Sequence, residues 1–325
     1  MIEELKRRLH TTGIGLGLAA LGRPGYMTLT HDSDLPDKSK EAMKSHAHDM
    51  LNLAWENGVR YFDVARSYGD GEKFLASWLN SRHIKKEEVV IGSKWGYVYV
   101  ADWQVDVATH EIKYHTLENL EKQWQESREI LGDYLNIYHI HSATLKSGVL
   151  DDRSILDRLY EISQSGVTIG LSLTGTGQAE VLQKSMGIKY EGNRLFQSVQ
   201  ATWNMLERSA EEQLRQAAGN GCFVILKEVM ANGRIADNST ASLSEKQLQI
   251  IHELKNAYQM TADQLAMRFA LQQDFADVVL SGAANENHLL SNLKADSITE
   301  DIDIWEGLSE NATSYWQTRS SLAWI

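Results

Sequence analysis

Short apolar runs, often β-branched, alternate along the chain with longer stretches whose apolar positions recur at helical spacing. Runs near 14–20, 60–64, 89–94, 134–141, 167–172, 196–201, 222–227 and 277–281 read as strands. Segments near 40–57, 70–80, 116–131, 152–165, 176–186, 209–219, 244–257 and 262–273 read as helices between them, and one more near 285–295 follows the last strand. The first of these carries Met43, Ala47, Met50, Leu51 and Ala54 on one face. Gly58, Gly132, Gly166 and Gly221 each stand directly before or within a residue or two of a strand, where a left-handed residue lets a helix end reverse into it. Ser209 with Glu212, and Thr261 with Gln264, have capping-box spacing. Eight strands alternating with helices, several apolar enough to be covered on both faces, predict an α/β fold, the parallel (β/α)8 TIM barrel. A doubly wound open sheet is the alternative.

Composition narrows this. The 325 residues include only two prolines and no Ser/Gly-rich tract, so a single domain spanning 1–325 is expected. A formal charge of −12 disfavours nucleic acid or an anionic membrane surface as the main partner. Cys222 is the one cysteine, which excludes an intrachain disulfide and fits a reduced, cytoplasmic setting. Lys6-Arg7-Arg8 before Ile14–Leu21 superficially resembles a signal peptide, but the apolar run is short and broken by glycines, so it reads as the first strand. Gly13-x-Gly15-x-Gly17 lacks the third glycine at dinucleotide-loop spacing and no long helix follows it.

Strand ends carry the chemistry. Tyr61-Phe62-Asp63 ends in a carboxylate, with Tyr68 on the loop beyond it. Ile91-Gly92-Ser93-Lys94 ends in a lysine, and Ile137-Tyr138-His139-Ile140-His141 in a histidine. In a barrel these ends converge on one mouth. A lysine beside the phenol is expected to lower its pKa, the carboxylate to fix the lysine, and His141 to orient a carbonyl oxygen as a neutral donor. Such a set lacks its own reductant and implies a cofactor such as a nicotinamide. Two segments exceed what a barrel needs, 96–115 and the tail after about 298, both rich in tryptophan and tyrosine. They are expected to wall the pocket, with Trp95, Trp103, Trp203 and Trp324 as its aromatic residues.

These residues resemble the aldo-keto reductases over nearly the whole chain. Phe62-Asp63-x-Ala65-x-x-Tyr68-Gly69, then Lys94, then His141 match that family's catalytic tetrad in order. The resemblance implies reduction of an aldehyde, ketone or aldose, or the reverse, with Tyr68 as general acid/base. It also implies cofactor contacts. Ser172 in Gly170-Leu171-Ser172 and Gln200 match residues that hold the carboxamide, although Leu173 stands where an asparagine is usual. Lys227 replaces the usual strand-seven pattern and is placed to reach a pyrophosphate or to pair with Glu228. Gly282, Ala284 and His288 lie where the family grips the 2′-phosphate, and Asn292 where it meets the adenine. No Lys or Arg occurs between Ser281 and His288, so NADP(H) is the family default while NAD(H) stays open.

Two other classes compete. The potassium-channel beta subunits are similar barrels that hold cofactor and act chiefly as partners. His139-x-His141 on one strand face also suits a metal-dependent barrel hydrolase, though further ligands at other strand ends are not evident. The expected partner is a small carbonyl compound or sugar, with no metal, nucleic acid or membrane; oligomeric state is not legible.

Overall fold

Eight parallel strands close on themselves in the computed structural model, which describes residues 1–9, 11–25, 37–237, 243–303 and 307–322. They are β1 (Ile14–Gly17), β2 (Tyr61–Asp63), β3 (Val90–Trp95), β4 (Leu135–Ala143), β5 (Thr168–Leu173), β6 (Ser198–Thr202), β7 (Phe223–Lys227) and β8 (Val278–Ser281). Each pairs with its neighbour in sequence, and β8 pairs back onto β1 with Ile14 opposite Val279. The sheet has no open edge, so the barrel stands and the doubly wound alternative falls. Around it run α1 (Ile2–Arg8), α2 (Lys40–Glu56), α3 (Gly71–Ser81), α4 (Leu117–Leu131), α5 (Arg153–Ser163) and α6 (Gln178–Met186). They are followed by α7 (Glu211–Gly219), α8 (Glu245–Tyr258), α9 (Ala262–Leu271), α10 (Glu286–Lys294) and α11 (Ala312–Ser320).

The two-residue period of the strands divides the apolar residues into two cores. Phe62, Ile91, Tyr138, Ile140, Leu171, Val199, Val224 and Val279 pack outward against the helices. Tyr61, Val90, Ile137, Phe223, Ile225, Val278 and Leu280 fill the barrel interior. Leu5 of α1 joins this inner cluster, with Ile2 and Leu9 packed beside it, so α1 stoppers the end of the barrel opposite the strand C-termini. Full burial of one leucine contributes roughly 1.5–3 kcal/mol. Small residues make room for the large inner ones: a side chain at Gly15 or Gly92 would collide with Tyr61, and one at Gly170 with His139.

Local chemistry moves some boundaries. The first strand ends at Gly17, short of the expected residue 20. The helix expected from Ser209 begins at Glu211, because Glu207 captures both the backbone N–H (3.0 Å) and the hydroxyl of Ser209 and leaves no capping box there. The box at Thr261 does receive Gln264, whose Oε1 accepts the Thr261 N–H at 3.3 Å. The segment after β3 folds into a small antiparallel hairpin, Tyr97–Tyr99 against Glu111–Lys113. No helix among the described residues is long and apolar enough to cross a membrane.

Candidate active site

Inward positions near the strand C-termini bring the polar residues together. Asp63 is 2% exposed and Lys94 fully buried. Lys94 Nζ donates to Asp63 Oδ1, to the Val64 carbonyl at 2.9 Å and to the Tyr68 hydroxyl at 3.4 Å. The other carboxylate oxygen of Asp63 accepts from Tyr61 Oη at 3.3 Å and Gln200 Nε2 at 2.8 Å. Tyr68 and His141 meet edge to face with ring centroids 5.6 Å apart. The three strand-end residues and Tyr68 of the loop, all singled out by sequence, thus share one cluster at the floor of a cavity.

Electrostatics there differ from the simplest expectation. The Tyr68 phenol is held well above its ordinary value, by burial first and then by the Asp63 carboxylate, with Arg23 opposing. The lowering expected from Lys94 does not prevail, since that ammonium is committed to Asp63 and the Val64 carbonyl. His141 is pushed well below its ordinary value by burial and by Lys94, Lys227 and Arg23, so the imidazole is neutral. His139, one layer deeper, sits 2.9 Å from Ser198 Oγ, and burial lowers it to about 3. It packs inside the barrel, and among the described residues no cluster of His, Cys, Asp or Glu is arranged to hold a metal.

β4 breaks register directly after His141: Ser142 has φ 54° and the pairing with β5 shifts between Ile140 and Ala143. A bulge at this point re-aims the strand end. Ser172 Oγ accepts the Ser142 N–H at 2.8 Å, and His115 Nε2 lies 2.9 Å from the His141 carbonyl. Ser172, expected on the cofactor wall, therefore sits fully buried behind it and pins the bulge, while Thr174 lines the cavity nearby.

The cavity, about 840 Å³, extends from Asp63, Tyr68, His141 and Gln200 past Lys227 to Gly282, Ala284, His288 and Asn292. Its walls give a nicotinamide dinucleotide a reasonable fit: a side chain added at Gly282 would meet nothing within 4 Å, leaving open space beside the loop that leads into α10. Asn285 caps that helix by accepting the His288 N–H at 2.8 Å. Asn292 is tied to Ser281 (2.8 Å) and Asp263 (3.0 Å). Lys227 Nζ donates to Thr202 Oγ1 at 2.7 Å and lies 3.4 Å from Glu228, whose carboxylate is also gripped by Arg319 of α11. Burial pushes the Glu228 carboxyl up, but Arg319 and Lys227 outweigh it and hold it far below the usual carboxylate range.

The aromatic wall is corrected. Trp95 is fully buried against His115, Trp203 stacks on Phe269 between barrel and helices at 5.0 Å, and Trp103 packs on Phe74 with its indole N–H on the Lys38 carbonyl (2.7 Å). None of these three lines the cavity. Trp324 lies outside the described residues. The insertion and the tail do reach the cavity, but through Tyr97, Glu111 and Arg319. Arg23, Glu111 and Arg319 had no sequence signal, coming from a turn, a three-residue strand and the far end of the chain.

The model of the Aldo/keto reductase family matches residues 14–310. A D-threo-aldose 1-dehydrogenase of a Pseudomonas species is 21% identical over 290 residues, covering 80% of this chain and 86% of the relative. Pyridoxal 4-dehydrogenase of Microbacterium luteolum is 21% identical over 326 residues, 88% of this chain and 89% of that protein. An aldo/keto reductase of Klebsiella pneumoniae, solved in complex with NADP and acetate, superimposes with a TM-score of 0.62 at 19% identity, over 89% of this chain and 87% of that one.

Proposed function

Since the chain belongs to the aldo/keto reductase family, we propose that it is an NAD(P)(H)-dependent oxidoreductase that interconverts a carbonyl compound and its alcohol, with Tyr68 as general acid/base. The observation that carries this is the Tyr68 hydroxyl, 3.4 Å from Lys94 Nζ and facing a neutral His141 on the floor of the cavity. A reduced nicotinamide supplies the hydride when bound. The substrate carbonyl oxygen accepts hydrogen bonds from Tyr68 Oη and His141, and Tyr68 gives up its proton as charge develops on that oxygen. Lys94, fixed by Asp63, then faces the phenolate left behind. In the reverse direction the same phenolate takes the alcohol proton.

Gln200 is a candidate for the carboxamide: one N–H of its Nε2 goes to Asp63, and Oε1 is placed to accept from an amide N–H. Lys227 is the candidate for the pyrophosphate, together with backbone amides of the loop into α10. At the adenosine end the described lining offers Asp237, Asp263 and His288 and no Lys or Arg. A 2′-phosphate is normally held by charge-assisted bonds of roughly 1.5–3 kcal/mol each, so the lack of two costs about a hundredfold or more in affinity. We therefore expect discrimination for NADP(H) over NAD(H) far weaker than a hundredfold, or reversed.

Fluorescence titration of the intrinsic tryptophans with NADH and NADPH, together with aldehyde turnover followed by absorbance of the reduced nicotinamide, on the native protein and on Tyr68→Phe, addresses both points. Tyr68→Phe should bind cofactor within a few-fold of the native protein and lose reductase turnover by at least a thousandfold. Undiminished turnover sinks the role of Tyr68, and a hundredfold preference for NADPH sinks the cofactor argument.

A further inference from the structure

β4 leaves its ladder at the residue the chemistry needs. Its pairing with β3 ends at Ile140, opposite Trp95, and its pairing with β5 skips from Ile140 to Ala143. The carbonyls of His141 and Ser142 therefore have no register partner on either neighbouring strand. Buried carbonyls need donors, and these two must find them outside the barrel sheet. A peptide unit left without one is free to rotate, and rotation at this point swings the His141 side chain with it.

Both donors come from the segment inserted after β3. His115 Nε2 lies 2.9 Å from the His141 carbonyl, and Lys113 Nζ donates to that of Ser142 at 2.8 Å. A carbonyl only accepts, so the His115 proton is on Nε2. Burial lowers His115 to about 4, which leaves the ring neutral with that one N–H, and its buried Nδ1 has no partner among the described residues. Glu111, Lys113 and His115 alternate along the hairpin strand and its extension, and Ile112 and Tyr114 between them are exposed. Glu111 on the same face pairs with Arg23, whose guanidinium lies 5.3 Å from the centre of the Tyr68 ring.

The hairpin is itself held from behind. Gln123 of α4 accepts the Gly96 N–H and donates to the Tyr97 carbonyl, both at 2.8 Å, and Asn119 donates to the Tyr114 carbonyl at 2.8 Å. Gly96, at φ 112°, leaves the His115 ring its seat, because a side chain there would overlap it. Tyr97 packs between the two imidazoles, 4.9 Å from His141 and 6.5 Å from His115. Neither Lys113 nor His115 lines the cavity, so they reach the site only through β4.

We propose that the insertion braces the imidazole at the end of β4, with His115 and Lys113 as positioning residues that act through His141. This rests on the reading of His141 as hydrogen-bond donor to the substrate oxygen. That bond matters most as charge develops on the oxygen, so a loss of aim falls on kcat more than on KM.

The test follows reduction of glyceraldehyde, propanal and benzaldehyde by the full chain with NADH or NADPH, and uses the pair that the native protein turns over fastest. His115→Phe keeps a ring beside Trp95 and Tyr97 and removes the N–H; its kcat should fall about tenfold, with KM and cofactor affinity changed less than about threefold. His115→Gln puts an amide N–H where Nε2 was and should return kcat to within about threefold of native. Lys113→Met should lower kcat by about threefold or more, and it carries the test should His115→Phe not fold. Ile112→Ser, on the outer face of the same hairpin, should leave kcat unchanged. In a His141→Ala background His115→Phe should cost nothing further, because a positioning residue has no effect once the group it aims is gone. An unchanged kcat in both His115→Phe and Lys113→Met overturns the proposal. An equal loss in the His141→Ala background also overturns it, by marking a general loosening of the mouth. Both outcomes leave the role of His141 intact when His141→Ala is itself impaired. Undiminished turnover in His141→Ala, or no reduction of any of the three aldehydes by the native protein, removes that reading and this inference with it.

Discussion

A phenol kept protonated by burial and a neighbouring carboxylate is a competent acid throughout the neutral range and a poor base there. The sign follows: protonated Tyr68 drives reduction below its raised pKa, and the phenolate needed for oxidation gains population only as pH climbs towards it. His141, displaced downward, stays neutral well below pH 6.5 and adds no acid limb of its own. Initial rates in both directions across pH 5.5–10 should therefore show kcat/KM for reduction flat through neutrality and kcat/KM for oxidation rising about tenfold per unit towards the alkaline end. Equal pH profiles in the two directions would count against Tyr68 as the shared group. At this scale the site was highly legible. Asp63, Lys94 and His141 are each a charged or titratable residue at an inward strand position, an expensive placement that marks itself in the sequence. The electrostatics were not legible, because the direction of the Tyr68 shift depends on which partner Lys94 prefers, and that is a matter of distance.

Among elements, the bulge in β4 has the most to do with aim. The left-handed Ser142 directs its N–H to Ser172, which lies on the neighbouring strand and out of the cavity. Ser172→Ala removes that acceptor from a buried N–H, at a cost of about 1–3 kcal/mol. We expect urea unfolding to show a loss of this order and kcat to drop about tenfold, with cofactor affinity changed less than threefold. A larger loss of cofactor affinity than of kcat would return Ser172 to the cofactor wall. Strands and long helices were readable from period alone, as in α2, whose apolar face needed no tertiary context. The hairpin at 97–99 and 111–113 was not, since three-residue strands carry too little alternation. The tryptophans misled for a related reason: ring size signals burial, and burial on the outside of a barrel is as good as burial at its mouth.

For the whole molecule the stopper helix is the least foreseeable feature. α1 has seven residues and one fully buried side chain, and its receiving surface is assembled from β2, β3, β4, β7 and β8. Its basic residues drew attention instead, though Lys6 is paired with Asp277 at 2.7 Å beside β8. Leu5→Ala should cost about 2–4 kcal/mol in unfolding free energy and leave the kcat/KM of the folded enzyme unchanged, because the chemistry lies at the opposite end. A matching loss of activity in fully folded protein would show that the two ends are coupled. Chain order adds an asymmetry. α1 precedes every strand of the barrel, yet its seat includes Phe223 and Val278, which lie more than two hundred residues further along the chain. The complete seat of α1 thus exists only once β7 and β8 have joined the barrel, so its docking closes a loop of most of the chain and carries the entropy cost of a long-range contact.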